Sequence, residues 1–343
     1  MRITMDDLAR MSGYSKATIS RALNDDPRVK EETKREIKRL ARKFRYHPHT
    51  VASNLARQQS RIVGLVFPQS PRSISDPFFL EFIKGVTETL AMAGFSILVP
   101  PMEREGFGSV LERLIYQHRV DGVILTEPKV ADDRIDFLQE NEVPFVFLGS
   151  TLEEGVLWVD GDNVRGAYLA TRHLLGLGHR RIAILLGEEQ LVSAGKRYQG
   201  YRQALLEAGI EPQEELAIKG DFTFEAGYQL VKDMLAEGIF PDCTAVFASN
   251  DLMAIGAMRA FREAGKRVPE DYSLVGFDGI ELTRYVDPRL TTIQQPIHLL
   301  GREVSKKLLT YLEDNHVEEE QTLIPLELTE GSTTMKLSDK ERR

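Results

Sequence analysis

The sequence predicts an α/β protein with an N-terminal three-helix head that contains a helix-turn-helix, a hinge helix, and two doubly wound α/β lobes. The first 61 residues contain 15 Lys and Arg but only 7 Asp and Glu, a net charge of +8, so a chain of net charge −8 leaves −16 for the remainder. Beyond residue 61, short apolar runs alternate with helical stretches, which is typical of parallel sheets covered on both faces. The predicted boundaries are 1–46 for the head, 47–61 for the hinge and 62–343 for the body.

Three helices are predicted in the head. Thr4 is positioned to accept a hydrogen bond from the Asp7 amide and so to cap a first helix. Ser15 is positioned to cap a second helix at Lys16–Leu23. Two short helices joined by a turn that contains glycine indicate a helix-turn-helix. A third helix at 31–44 has one apolar face and one basic face, and the basic face carries Lys34, Arg35, Lys38, Arg39, Arg42 and Lys43.

The basic charge of this helix-turn-helix favours nucleic acid as its partner over a merely solvated surface. The start of the second helix of such a motif enters the major groove, where Arg and Lys donate to guanine and Ala leaves room for a thymine methyl group. The side chains predicted to face base edges are Lys16, Ala17, Ser20 and Arg21. The side chains predicted to contact phosphates, which fix the register, are Thr18, Asn24, Arg28 and Tyr46.

The segment after the head breaks and then resumes a helical pattern. Pro48 interrupts the pattern, and Val51 and Leu55 lie four residues apart within 50–57. Eight residues are too few for a stable isolated helix. The segment is therefore either a hinge helix that folds on DNA, with Leu55 inserted into the minor groove, or an ordinary linker.

Composition limits the class of protein. With 42% hydrophobic and 28% charged residues, the chain has enough apolar side chains for a globular core. One cysteine, Cys243, excludes a disulfide within the chain and indicates a buried residue in a reducing compartment. Because neither a signal peptide nor an apolar run of membrane-spanning length is apparent, we expect a cytoplasmic protein without a membrane partner. The polar segment 332–343 is expected to be frayed.

The body contains more β-α units than one half-sheet can hold. The predicted strands are 62–67, 95–99, 122–125, 145–148, 182–186, 245–248 and 274–276. The predicted helices are 78–93, 108–118, 164–177, 196–207, 224–236 and 252–263. This number of units predicts two lobes with a ligand cleft between them. The expected lobes are 62–160 with 292–328, and 162–290.

Polar side chains near the ends of the body strands form a candidate ligand site. Asn250 and Asp278 each follow an apolar strand, where open α/β sheets bind ligands, and Arg197 lies near the start of a helix. A convergent Arg and Asp offer donors and acceptors for two vicinal hydroxyl groups, although Asp278 is alternatively a turn residue. The aromatic side chains available to stack on a sugar ring are Phe222, Phe78 and Phe79. The last two are equally compatible with core packing. Weaker candidates are Thr126, Asp162 and Gln295.

Signatures of enzymes and cofactors are lacking. The chain has no phosphate-binding loop, dinucleotide fingerprint, nucleophile elbow or His-Glu-x-x-His motif. Its seven His are scattered, and His179, beside two arginines, is predicted to be a surface or capping residue. We therefore expect no enzyme activity, no metal and no cofactor.

Short motifs along nearly the whole chain match a known pattern. The head motifs are ITMDDLA at 3–9, YSKATISRALN at 14–24, YHP at 46–48 and LA at 55–56. The body motifs are DNVRGA at 162–167, LGHRRIA at 177–183, ASND at 248–251, GFD at 276–278, LTTI at 290–293 and LG at 300–301. With these motifs the chain resembles the lac repressor family of bacterial transcription regulators.

The resemblance implies a symmetric homodimer that reads a pseudo-palindromic operator in double-stranded DNA, with Leu55 of each hinge helix prying open a central base step. By the same resemblance, Arg197, Asn250 and Asp278 match the family's sugar-contacting positions, with Phe222 in place of the usual aromatic residue. The chain departs from the family at Lys30, where Ser usually caps the third helix.

The resemblance also implies lobes of periplasmic-binding-protein type, between which the chain crosses three times. The expected crossings are near 159–162, 278–285 and 288–295. The final helix and strand, about 296–328, are expected to return to the first lobe.

These observations predict a ligand-responsive, DNA-binding repressor, induced by a sugar or glycoside and acting on carbohydrate-utilisation genes. Corepression by a nonsugar such as a purine is the alternative within the class. A solute-binding protein is the alternative outside it, and the helix-turn-helix head argues against that reading. A dimer is expected rather than a tetramer, because the tail after Gly331 has no heptad repeat.

Overall fold

The computed structural model describes residues 3–23, 25–44, 46, 60–67, 74–100, 107–117, 119–238 and 243–337. Two compact units, Met1–Ser60 and Arg61–Arg343, are called the head and the body below. The predicted hinge helix lies outside the described residues, as do Asn24 and Leu55. Within the described residues, no helix has both the length and the apolar composition needed to span a bilayer.

The head contains the three predicted helices, α1 (Met5–Ser12), α2 (Lys16–Leu23) and α3 (Glu31–Lys43). The capping box is confirmed, because the Asp7 amide donates to Thr4 Oγ1 at 3.3 Å and the Thr4 amide donates to Asp7 Oδ2 at 2.9 Å. The three helices bury one small apolar core, whose members are Leu8, Ile19, Ala22, Ile37, Ala41 and Tyr46.

In the head, α2 has its predicted cap, α3 has no side-chain cap among the described residues, and Lys34 is buried. Ser15 caps α2 as predicted, accepting a hydrogen bond from the Thr18 amide at 3.1 Å. Lys30 makes no side-chain cap among the described residues, and acidic residues in the first turn of α3 suit the helix dipole instead. Lys34 was expected on the basic face but is buried, and its ammonium pairs with the exposed Glu31 at 2.7 Å.

The body is built on two six-stranded sheets. The strands of the first lobe are β1 (Ile62–Val66), β2 (Ser96–Leu98), β3 (Gly122–Thr126), β4 (Phe145–Leu148), β5 (Trp158–Gly161) and β11 (Gln321–Ile324). Those of the second lobe are β6 (Ile182–Leu186), β7 (Ala217–Lys219), β8 (Ala245–Ala248), β9 (Ser273–Asp278), β10 (Thr291–Gln294) and β12 (Glu327–Thr329). The sheet orders are β11-β5-β4-β3-β1-β2 and β12-β10-β9-β8-β6-β7. The pair β10–β12 is antiparallel, and the other described pairs are parallel, so the predicted doubly wound class is confirmed.

Helices cover both sheets. The first lobe has α4 (Pro77–Met92), α5 (Phe107–Tyr116), α6 (Asp133–Glu140) and α11 (Ile297–Asp314). The second lobe has α7 (Asn163–Gly176), α8 (Val192–Glu207), α9 (Phe224–Glu237) and α10 (Asp251–Glu263). Glycines let the paired helices touch through their backbones: a Cβ on Gly85 would lie 2.2 Å from the His298 carbonyl oxygen, and one on Gly227 would lie 2.2 Å from that of Met253.

The second of the three predicted lobe crossings is wrong. The chain crosses between Gly161 and Asn163, between Gln294 and Ile297, and between Ile324 and Glu327. The segment after β9 does not cross, because β10 pairs with β9 in the same sheet. The second-lobe sheet therefore includes 292–294 and 327–328, which were expected in the first lobe. A three-residue antiparallel strand such as β12 is too short to show an alternating pattern.

The C-terminal segment and His179 also differ from expectation. His179 is buried, and its two ring nitrogens bond the Thr244 hydroxyl at 2.8 Å and the Met335 carbonyl at 3.0 Å. The Thr333 hydroxyl is buried and donates to the Leu274 carbonyl at 2.7 Å. Residues 332–337 are therefore packed against the second lobe rather than frayed, and His179 holds them there.

Candidate nucleic-acid interface and ligand site

The exposed side of α2 carries the side chains predicted to face DNA bases. Lys16, Ala17 and Arg21 are exposed, whereas Ile19 and Ala22 on the opposite side belong to the head core. The Lys16 ammonium pairs with Asp6 at 2.5 Å, and its side chain stays 58% exposed. This surface presents two cations and one small apolar group, which is the chemistry that guanine and thymine edges accept in the major groove.

The side chains predicted to contact phosphates differ in their exposure to solvent. Thr18 is half-buried, as is Ser20 among the predicted base contacts, and the Thr18 hydroxyl lies 2.9 Å from that of Ser15. Arg28 is exposed and pairs with Asp26 at 2.7 Å. Tyr46 lies in the head core rather than on the surface, and burial raises the pKa of its hydroxyl.

Arg197 is the centre of a polar cluster in the body and is 5% exposed. Its Nε donates to Asn163 Oδ1 at 2.7 Å, and its Nη1 donates to the Ser249 carbonyl. Its Nη2 lies 3.4 Å from Asp278 Oδ1, and its guanidinium carbon lies 3.8 Å from the centre of the Phe277 ring. The cation is thus oriented by α7, by the end of β8 and by β9.

Asp278 ends β9 in a conformation that L-residues rarely adopt, with φ of 111°. Gln295 fixes it from two directions, because its Nε2 donates to Asp278 Oδ1 at 2.8 Å and its amide donates to the Asp278 carbonyl at 3.0 Å. Arg197, Asp278 and Gln295 were separate candidates in the sequence, and the structure brings them together. Strained backbone of this kind clusters at functional sites.

Asp251, the first residue of α10, lies beside Asp278 and was missed by sequence reasoning. It is buried and accepts hydrogen bonds from the Ile280 amide at 2.9 Å and the Thr292 hydroxyl at 2.5 Å. Burial, and secondarily the charge of Asp278, raises the pKa of Asp251 well above its usual value. The hydrogen bonds from Thr292 and Ile280 oppose this rise, because they stabilise the charged carboxylate.

Asn250 and Phe222 are linked, although not through the Phe222 ring. Asn250 Nδ2 donates to the Phe222 carbonyl at 2.8 Å, and Asn250 Oδ1 caps α10 by accepting from the Met253 amide at 3.0 Å. The Phe222 ring is 1% exposed and packs on Gly187, where a Cβ would lie 2.0 Å from it. Asn250 therefore positions the loop that carries Phe222, whose φ of 67° is also strained.

The candidate site residues of the first lobe differ in their surroundings. Phe78 and Phe79 belong to the core of the first lobe, with ring centres 5.5 Å apart, which favours core packing over an aromatic wall. Asp162 is half-buried and caps α7 by accepting from the Arg165 amide at 2.9 Å. Thr126 ends β3, and its buried hydroxyl has no hydrogen-bond partner among the described residues.

Several other polar residues near Arg197 were not predicted. Asn163 directly follows the candidate Asp162, and this adjacency was the available signal. Asp160 is buried in β5, and burial raises the pKa of its carboxyl while hydrogen bonds from Ser150 oppose the rise. The Ser249 hydroxyl in the second lobe is buried and has no hydrogen-bond partner in the described part of the chain. The same holds for the Thr126 hydroxyl in the first lobe. The described residues contain no group of three His, Cys, Asp or Glu arranged to hold a metal ion.

Models of known protein families match both the head and the body of the chain. Residues 4–49 match the model of bacterial regulatory proteins of the lacI family. Residues 60–332 match the model of periplasmic binding proteins and the sugar-binding domain of the LacI family. The chain therefore belongs to the LacI family of bacterial regulatory proteins.

Individual relatives are similar along nearly their full length. The transcriptional regulator CelR of Thermobifida fusca is 36% identical over 316 residues, covering 90% of this chain and 91% of CelR. The transcriptional repressor CytR of Escherichia coli K12 is 36% identical over 333 residues, 96% of each chain. The solved lac repressor dimer, bound to operator and the anti-inducer ONPF, superposes with a TM-score of 0.85 at 30% identity, covering 98% of this chain and 100% of that one.

A second solved structure holds a sugar. The CelR–cellobiose complex superposes with a TM-score of 0.74 at 33% identity, and the match covers 97% of this chain and 100% of that one. Resemblance to a DNA-binding family, predicted from the motifs, is thus confirmed by relatives of both sequence and structure.

Proposed function

We propose that this regulator represses transcription by binding an operator through its head, and that a sugar or glycoside bound in the body changes this binding. The observation that carries the proposal is the buried Arg197–Asp278 pair at the strand ends of the second lobe, 3.4 Å apart. A guanidinium offers paired donors and a carboxylate offers paired acceptors, so together they suit vicinal hydroxyl groups. The cellobiose bound by the relative CelR supports this ligand class.

Two further features support a polyhydroxylated ligand. The hydroxyl groups of Thr126 and Ser249 are buried at strand ends of the two lobes, and no described residue satisfies them. A buried hydroxyl without a partner costs free energy, which a ligand hydroxyl would recover. The fully buried Phe277 ring beneath Arg197 holds the guanidinium in place by a cation–π contact, so the donors offered to ligand hydroxyl groups are fixed in position.

The proposed mechanism is a shift between two arrangements of the lobes. A ligand alters operator affinity only if it binds the two arrangements with different affinity. We infer that the chain acts as a homodimer on a pseudo-palindromic operator, as the lac repressor dimer does.

A thermal-shift screen tests the ligand class. The full-length protein is heated with cellobiose, a panel of monosaccharides, and purine bases, since a ligand that binds the folded state raises the melting temperature by mass action. We expect a sugar to raise it and to change operator binding in a gel shift. A rise with purines alone would contradict the sugar assignment and favour corepression by a nonsugar. Specific operator binding that no screened ligand alters would contradict ligand control.

A further inference from the structure

A ring of polar contacts next to the candidate ligand site joins the two lobes. Lys196 Nζ, on α8 of the second lobe, donates to Ser150 Oγ at 2.6 Å, in the loop after β4 of the first lobe. Ser150 Oγ in turn donates to Asp160 Oδ2 at 2.7 Å. Asn163 Nδ2 donates to Asp160 Oδ1 at 2.9 Å, and Asn163 Oδ1 accepts from Arg197 Nε at 2.7 Å. Because Lys196 and Arg197 are consecutive on one helix, these contacts close a ring.

The hydrogen bonds of this ring all point towards one carboxylate. Lys196 donates to Ser150 and Ser150 to Asp160, while Arg197 donates to Asn163 and Asn163 to Asp160. Asp160 is only 6% exposed, so water cannot readily replace a lost donor. Buried polar networks of this kind are stable when complete and costly when one member is missing. A change at Arg197 therefore reaches Lys196 by two routes, through the ring and along the helix.

The start of α8 is also tied to the first lobe through its backbone. The Val192 amide donates to the Pro128 carbonyl at 3.0 Å, and the Val130 amide donates to the Gln190 carbonyl at 2.9 Å. Leu191, at the N-cap position of α8, supplies no side-chain hydrogen bond, so an amide of the first turn is satisfied by the other lobe. The amides of Val130 and Val192 thus report directly on the contact between the lobes.

We propose that Lys196, Ser150 and Asp160 are positioning residues that couple the state of Arg197 to the contact between the lobes. The proposal rests on the proposed function in taking Arg197 as part of the effector site. A ligand that draws Arg197 away from Asn163 frees the Asn163 side chain that donates to Asp160, and so loosens the ring that holds the Lys196–Ser150 contact. By linkage, separation of the lobes changes ligand affinity at Arg197 by the same factor.

Hydrogen exchange in the full-length protein, without ligand or DNA, tests the interlobe contact. Lys196→Met keeps the length of the side chain but removes its donor, and we expect exchange at Val130 and Val192 to rise about tenfold, as for one charge-assisted hydrogen bond. Lys219→Met is the matched control, because Lys219 pairs with Glu189 at 2.7 Å on the second lobe alone. Ser150→Ala provides a second variant that removes the same bond, in case Lys196→Met folds poorly.

A double-mutant cycle tests the coupling itself. Arg197→Lys keeps the charge but cannot hold Asn163 and Ser249 together, so we expect it to speed exchange of the same two amides. Combined with Lys196→Met, its effect should be smaller than the product of the single effects, since both act on one network. Effects that multiply, or a Lys196→Met exchange rate equal to that of Lys219→Met, would overturn the proposal.

The outcome is separable from that of the proposed function, because neither ligand nor operator is present in this experiment. If the two substitutions are coupled in hydrogen exchange but the protein binds no sugar, the ring still links Arg197 to the contact between the lobes, and the assignment of a sugar ligand is wrong. If a sugar releases the operator but the effects of the two substitutions on exchange multiply, the proposed function holds and the coupling through the ring is wrong.

Discussion

An ion pair on the surface of the head differs in its access to water from two ion pairs that are buried in the body. In the head, the Lys16–Asp6 side chains are 58% and 60% exposed. In the body, the Arg197–Asp278 side chains are 6% and 3% exposed, and the Arg134–Asp132 side chains 3% and 1%. An exposed pair contributes little to stability, so its cation can exchange a carboxylate for a phosphate at small cost. A buried pair is fixed in geometry and suits recognition of a small ligand.

The largest expected effect comes from breaking a buried pair. Arg134 pairs with Asp132 at 2.5 Å and donates to the carbonyls of Thr126 and Glu127 at 3.0 Å each. Arg134→Met should lower the free energy of unfolding by about 3–5 kcal/mol, because an uncompensated carboxylate stays buried. Urea unfolding, followed by the fluorescence of Trp158, the single Trp of the chain, measures this loss in the body.

Arg259→Met is the control, since Arg259 pairs with Glu263 at 2.8 Å on the same unit but is about half exposed. We expect no measurable loss for this variant. Equal losses for the two variants would show that burial does not distinguish the two kinds of pair.

The next prediction concerns the ligand pair. Asp278→Asn keeps a residue that tolerates positive φ but removes the charge opposite Arg197. Ligand affinity should fall by about 1–3 kcal/mol or more, while operator affinity in the absence of ligand stays unchanged, giving a repressor that cannot be induced. Calorimetry and gel shifts with the sugar found by thermal shift measure the two affinities. Glu281→Gln, an exposed change nearby, is the control. Loss of operator binding by Asp278→Asn would instead assign this residue to the fold.

A smaller and more selective effect is expected in the head. Arg21→Ala should weaken specific operator binding by about 1–3 kcal/mol and binding to random duplex much less, because Arg21 lies on the exposed side of α2, which is predicted to face base edges. Arg10→Ala removes the same charge from α1, which in this motif crosses the phosphate backbone, and should weaken both alike. Fluorescence anisotropy with operator and random duplex measures both. Parallel losses for Arg21→Ala would assign Arg21 to phosphate contacts.

The same two regions differ in how well the sequence predicts them. The head follows from local signals, because Thr4 and Ser15 cap helices within three residues of their partners. In the body, α8 begins at Val192 rather than at the predicted residue 196, since its first turn is satisfied by the distant Pro128 carbonyl. The strands β5, β7 and β10 were not predicted from apolar runs, because they are short and contain polar residues.

The candidate ligand site shows the same limit. Asp278 and Asn250 are recognisable from their places after apolar strands and in motifs, and Arg197 from its place near the start of a helix. Ser249 enters the site through its carbonyl, 52 residues from Arg197 in sequence, and a backbone acceptor has no signature in a sequence. Asp160 has no distinguishing signal in the sequence of its strand. Its hydrogen-bond partners, Ser150 and Asn163, are known only from the fold, which brings the ends of two strands and a helix together.

The last prediction uses pH to compare a carboxyl group of each region. In the head, hydrogen bonds from Arg28 lower the pKa of the half-buried Asp26 to about 2. Its contribution to stability is present above the unfolded pKa and is lost as pH falls through the folded one. In the body, burial raises the pKa of Asp251, so its contribution is present below the unfolded pKa and is lost as pH rises through the folded one.

The body should therefore lose stability as pH rises from about 4 towards the raised pKa of Asp251, by up to about 1.4 kcal/mol per pH unit from this group. Asp251→Asn should flatten that slope, even though it also weakens the bonds from Ile280 and Thr292 and lowers the absolute value. Urea unfolding at several pH values, followed by Trp158 fluorescence, gives the slope for each protein. Asp26→Asn should leave it unchanged, because that group belongs to the other unit and titrates below this range. Parallel slopes for the parent and Asp251→Asn would show that Asp251 is already charged across the range, and that its burial is offset by its donors.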